Sequence, residues 1–160
     1  MVRRRSLLAA AASAAGVALA ACAAAPPAVE GPFTPAQVAA MKDLGFQQTD
    51  EGWQLDLGAR VLCEFGSDAL NPSATAAIDR LATTLLGVGI DRCRIEGHAD
   101  EIGAGDYNVA LSLRRADAVA RVMQSRGMPT GRLSTRGFGK AKPVGDNRTE
   151  AGRAQNRRVV

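Results

Sequence analysis

Three segments of strand character alternate with two segments long enough to be helices, and this alternation limits the fold more than any other feature. The strands are expected at residues 60–65, 92–96 and 133–136. The first helix opens at Asn71-Pro72 and runs to about Leu86, with Ile78, Leu81, Ala82 and Leu85 on one face and Gly87 ending it. The second, capped by Asp106, covers about 107–126 and stops at Gly127. Strands joined through helices of this length make βαβ crossovers onto one sheet, so the class is α/β, grading into α+β. A short helix near 150–154 leads into a terminal strand segment at 157–160.

Ahead of this unit, Thr34-Pro35-Ala36-Gln37 has the spacing of a capping box with proline at the first helical position. A helix over 35–44 follows, with Val38, Met41 and Leu44 as its apolar stripe and Gly45 as its stop. Phe46 and the alternation of Trp53, Leu55 and Leu57 predict a further strand. Val38, Met41, Leu44 and Phe46 either pack on the larger domain or form an exposed patch.

The N-terminus has a different character. Arg3-Arg4-Arg5 precede an Ala/Leu-rich apolar stretch that closes with Leu19-Ala20-Ala21-Cys22. Small residues before a cysteine resemble a lipobox, in which Cys22 is acylated and becomes the mature N-terminus. An ordinary signal peptide and an uncleaved anchor helix are the alternatives, and the paired arginines leave the export route open. Residues 23–32, rich in alanine and proline, read as a tether. The expected organisation is a leader at 1–21, an acylated tether at 22–33, a helix-and-strand segment at 34–58 and the main domain at 59–160.

Removing the leader deletes three arginines and no acids, so the formal charge of +4 falls to +1 and the whole-chain pI of 9.4 says little about nucleic acid. Aromatic residues at 4% are too few for a base-stacking platform, and no nucleic-acid partner is expected. Residues 22–60 are net acidic and residues 136–160 net basic, an asymmetry that suits an anionic wall polymer, an acidic protein partner or simply a solvated face. Cys63 and Cys93 sit among alternating apolar residues. They read as small buried hydrophobes, with a disulfide open in an oxidising compartment.

The run Gly97-His98-Ala99-Asp100-Glu101 carries the chemistry. It puts the Asp100 carboxylate on a loop, and Arg115 follows fifteen positions later, one to two turns into the next helix. Together they suit a ligand with both an ammonium and a carboxylate, such as the free end of an amino acid. His98 is the single histidine, and there is no nucleophile elbow, Walker loop or metal-spacing cluster. A non-enzymatic binding protein is therefore expected, with no cofactor and no metal. Oligomeric state, a homodimer included, is left open.

Several blocks in order resemble the OmpA C-terminal domain family. They are 62–70 with Asn71-Pro72, Ile95 to Asp100, Tyr107-Asn108 through Arg115-Ala116, Gly137-Phe138-Gly139, Pro143, Asn147, Gly152-Arg153 and Asn156-Arg157-Arg158. The resemblance implies a βαβαβ domain with a four-stranded mixed sheet and helices on one side. It also implies non-covalent binding of peptidoglycan through the diaminopimelate of its stem peptide. Asp100 would take the ammonium and Arg115 the carboxylate, Asn108 would fix the loop, and Arg157 would stand at the rim. Ala99 stands where the family often has threonine, and Cys63 where it often has an aromatic. With the chain ending at Val160, the last strand is expected to be short.

Thr34 to Val38, Leu44-Gly45-Phe46, Asp50 to Trp53 and Leu86 to Asp91 further resemble a subgroup of outer-membrane lipoproteins within the family. Such proteins bind the wall and sequester a periplasmic repressor of an inner-membrane diguanylate cyclase; other members are plain wall anchors. Alanine at position 23 agrees with sorting to the outer membrane.

Overall fold

The computed structural model describes residues 32–58 and 67–160. The leader, Cys22 with its lipobox, most of the tether, and the strand expected at 60–65 with Cys63 lie outside the described residues.

Thr34 and Gln37 close the capping box reciprocally and start α1 (Pro35–Asp43). Asn71 accepts from the Ala74 amide and starts α2 (Pro72–Gly87). The next helix, α3 (Gly105–Ser125), departs from expectation: its N-cap is Ala104, with no side-chain cap bond, and Asp106 lies inside the first turn. There its carboxylate favours the positive end of the helix dipole without capping an amide.

All three helices stop by the same device. Gly45, Gly89 and Gly127 take positive φ. In each case the next amide (Phe46, Ile90 or Met128) returns to a carbonyl five residues back (Met41, Leu85 or Met123). That is the Schellman arrangement, which satisfies carbonyls the helix would leave orphaned. For α2 the stop is therefore Gly89, and Gly87, the expected terminator, is the last helical residue.

The expected strand through Trp53, Leu55 and Leu57 is split. β1 (Gln47–Thr49) and β2 (Gly52–Gln54) form their own antiparallel hairpin, while β3 (Leu57–Gly58) joins the main sheet. The alternation is continuous in sequence, but Leu57 pairs with Val159 at the far end of the chain, and that pairing turns the backbone away after Gln54.

The main sheet orders as β3, β6 (Arg158–Val159), β4 (Cys93–His98) and β5 (Leu133–Gly137). β4 and β5 are parallel; β6 runs antiparallel to both β3 and β4. A last helix, α4 (Glu150–Asn156), is capped by Thr149 and leads directly into the two-residue β6. The sheet is mixed and four-stranded, as the family resemblance implies.

One face of the sheet carries the core. Ile95 and Val159 pack there with Ile78, Leu81 and Leu85 of α2 and Val119 and Met123 of α3. Met41 of α1 belongs to the same cluster, and Val38, Leu44 and Phe46 pack against it, so the N-terminal stripe docks on the domain. Cys93 is a half-buried thiol at the edge of this core, with no disulfide among the described residues. The other face is polar: register places Glu96 beside Arg136 and His98 beside Arg158.

The feature that positions the site is a pair of glycines. Gly97 and Gly137 are register partners, and a Cβ at either would overlap the backbone of α3, at Ser112 in one case and at Val109 and Leu113 in the other. Side chains there would hold the helix off; glycine lets it lie on the strands.

Candidate functional site

Where β4 ends, the chain enters a loop held from both sides. The Ala99 amide donates to the Gly139 carbonyl at 2.8 Å, tying the loop to the turn after β5. From α3, Asn108 Nδ2 donates to the carbonyls of Ile102 at 2.9 Å and of Asp100 at 3.4 Å. From the opposite side, Asn147 Oδ1 accepts from the Glu101 amide. Ala99, Asp100 and Asn108 are all buried.

Both oxygens of the Asp100 carboxylate accept a hydrogen bond. Oδ1 accepts from the Ile102 amide at 3.0 Å, and Oδ2 accepts from Arg157 Nη1 at 2.6 Å. Arg157, expected only at the rim, is thus the direct partner of Asp100 across 57 positions of sequence. Its Nη2 donates to Glu150 Oε1 at 2.7 Å. Arg153 holds the other carboxylate oxygen of Glu150 at 2.9 Å. These two guanidiniums, Arg157 first, keep the Glu150 carboxyl below its usual range.

Arg115 is buried and anchored differently. Its Nε donates to the Ser67 carbonyl at 3.0 Å. Among the described residues no hydrogen bond or ion pair joins it to Asp100. The two expected ligand-gripping groups thus lie on adjoining elements, the loop and α3, each with its own tether. Arg114, next in sequence, points elsewhere and pairs with Asp68 at 3.3 Å.

Asn156, in the Asn156-Arg157-Arg158 block that reads from sequence as structural, contributes indirectly. It is fully buried. Its Oδ1 accepts from the amides of Val144 and Gly145, and its Nδ2 donates to the Gly145 carbonyl and to Asn147 Oδ1. It therefore staples the loop before α4 and, through Asn147, the loop of Asp100. Nothing local in the sequence marks this beyond the Asn156-Arg157-Arg158 run.

His98 lies at the end of β4 rather than in the loop, on the polar face of the sheet. It is 2% exposed, and its ring stacks on Phe138 with centroids 5.4 Å apart. Arg136 and Lys142 lie over the same phenylalanine. Burial, and then the charges of Arg158 and Lys142, push the His98 pKa down to about 4. Among the described residues, its buried Nδ1 has no hydrogen-bond partner. A cavity of about 470 Å³ opens elsewhere, between the β1–β2 hairpin and the core, and its apolar lining includes none of the Asp100 site.

A mixed four-stranded sheet with α3 lying on paired glycines, a buried carboxylate just after β4 and a buried arginine on α3 define a class. The OmpA family profile matches residues 63–157, and the chain belongs to that family. It is 44% identical over 124 residues to the outer-membrane lipoprotein YfiB of Pseudomonas aeruginosa, covering 78% of this chain and 74% of that protein. It is 40% identical over 132 residues to the putative lipoprotein YfiB of Escherichia coli, covering 82% of each. Among solved structures it matches the peptidoglycan-associated lipoprotein of Burkholderia pseudomallei at a TM-score of 0.56 and 33% identity, over 62% of this chain and 84% of that one. Among the described residues, no helix is long and apolar enough to cross a membrane.

Proposed function

We propose that this protein is an outer-membrane lipoprotein, acylated at Cys22, whose OmpA-type domain binds peptidoglycan through the diaminopimelate of the stem peptide. It carries out no catalysis. Diaminopimelate keeps one free amino-acid end. Asp100 pairs with its ammonium, and Arg115, braced through Nε, offers its Nη nitrogens to the carboxylate as a bidentate fork. Asn108 sets the height of the loop, Ala99 forms part of its floor and Arg157 borders Asp100. The observation that carries this reading is the burial of Arg115 with no ion pair among the described residues, on the helix whose Asn108 holds the Asp100 loop, since a buried charge without a counter-ion is costly. The likeness to a protein named as peptidoglycan-associated supports the choice of ligand. The test is co-sedimentation of the mature chain with diaminopimelate-type sacculi, beside Asp100→Ala and Arg115→Ala variants whose fold is verified by circular dichroism. Loss of binding in both is expected; binding retained in both refutes the assignment.

The identity to YfiB proteins over most of the chain favours a second role beyond a Pal-like anchor: holding a YfiR-like periplasmic repressor of a diguanylate cyclase. The partner surface then lies on the outward side of α1 and the β1–β2 hairpin, where Ala36, Ala39, Gln47 and Gln48 are exposed. Because Met41 is part of the core, removing α1 would confound the result. Glutamate at Ala36 and Ala39 is the cleaner change. Loss of repressor pull-down with wall binding intact is the expected outcome; unchanged pull-down and cyclic-di-GMP output leave the plain anchor.

A further inference from the structure

Resting on the wall-binding reading, we infer that Arg157 makes the Asp100 site selective for a zwitterionic ligand end over a bare ammonium. Asp100 is a single negative charge already shared by a guanidinium at 2.6 Å. Both side chains are close to water-free, at 9% and 11% exposed. A second cation placed on that carboxylate sits within a few ångströms of Arg157. Two like charges then share one anion where solvent screens them poorly, and that arrangement is costly.

A ligand whose ammonium and carboxylate stand on the same carbon removes the conflict. As its ammonium meets Asp100, its carboxylate comes within reach of Arg157, which already touches that aspartate. One ion pair, Asp100 with Arg157, becomes two: Asp100 with the ammonium, and the carboxylate with the guanidinium. A zwitterionic end adds no net charge to the pocket. A lysine-type end supplies only the cation and leaves the positive charge unmatched.

Glu150 makes the requirement strict. It holds the far side of Arg157 at 2.7 Å, so the guanidinium is not free to swing into solvent when a cation arrives. It cannot replace Asp100 as a counter-charge: it is 54% exposed and shared with Arg153. Arg157 is thus a specificity-determining residue and Glu150 a positioning residue that acts through it.

Two synthetic stem tripeptides, identical except for diaminopimelate or lysine at the last position, isolate the effect, because they differ there by the side-chain carboxylate alone. Calorimetry on the mature chain should show the diaminopimelate peptide bound tighter by about tenfold or more. Arg157→Gln should narrow this ratio by weakening the diaminopimelate peptide and strengthening the lysine peptide. Arg157→Lys, which keeps the charge near Asp100 without the fork, should give an intermediate ratio and guards against a folding artefact. If Arg157→Gln and Arg157→Lys both leave the ratio at its wild-type value, or lower both affinities equally, Arg157 is structural and the inference is overturned while the wall-binding site stands. If the wild type binds neither peptide, the wall-binding reading itself falls, and this inference with it.

Discussion

Gly97 of β4 and Gly137 of β5 face each other across the parallel pair, and the backbone of α3 rests on both. The approach is close enough to exclude even a methyl group. It brings Asn108 down onto the loop that leaves β4, and Arg115 lies two turns further along the same helix, so these two glycines fix the height of α3 over the strands. Gly97→Ala should destabilise the domain by about 3 kcal/mol, since neither the strand nor the helix backbone gives way cheaply. Urea unfolding measures it. Gly87→Ala is the contrasting case. That residue is helical, an added Cβ meets nothing within 4 Å, and the substitution should stabilise by up to about 1 kcal/mol.

Asn108 spans the loop with a single amide group. Asn108→Asp keeps the size but turns a donor to two carbonyls into a negative oxygen facing them. The cost should be about 2 kcal/mol or more, and wall binding should fall along with it because Asp100 loses its backbone anchor. A variant as stable as the wild type that binds sacculi normally would show that the loop is held without this contact.

Much of this architecture is legible locally. Thr34 with Gln37, Asn71 ahead of Pro72, and the apolar face Ile78-Leu81-Ala82-Leu85 are short-range signals with short-range causes, and each element starts or packs where they indicate. Gly87 and Gly89 are a different matter. Both could end α2, and only the return of the Ile90 amide to the Leu85 carbonyl decides between them. The break after Gln54 is set by Val159, more than a hundred positions away. In the site, Asp100 and Arg115 are marked by type and spacing, and the Asn156-Arg157-Arg158 block brings Arg157 to the rim, but its direct contact with Asp100 closes over 57 positions and has no periodic signal. The burial of His98 is equally hidden, because it depends on Phe138 and Arg158 arriving from two other elements.

Asn156 makes four hydrogen bonds from a fully buried position, to the amides of Val144 and Gly145, the Gly145 carbonyl and Asn147 Oδ1. Asn156→Ala should cost on the order of 3 kcal/mol. The more specific consequence is local: amides at Val144 and Gly145 should exchange hydrogen far faster, and the Glu101 amide, held through Asn147, should follow. Fast exchange confined to 144–145, with Glu101 still protected, would break the proposed link between the two loops.

His98 ties stability to acidity. The unfolded chain protonates this imidazole near pH 6.5, whereas the folded protein resists protonation down to about pH 4, chiefly because the ring is buried and then because Arg158 and Lys142 repel a third positive charge. Between those values the unfolded state binds more protons, so stability falls as pH falls through the window and is constant, as far as this group is concerned, above it. The loss should accumulate at up to about 1.4 kcal/mol per pH unit and approach roughly 3 kcal/mol near pH 4. His98→Phe keeps an aromatic ring against Phe138 and removes both the titration and the buried Nδ1. Urea midpoints of wild type and variant should therefore converge above pH 7 to within the packing difference, and separate progressively toward pH 4.5, the variant being the more stable. Parallel pH profiles for the two proteins would show that His98 is charged or solvated in the folded state.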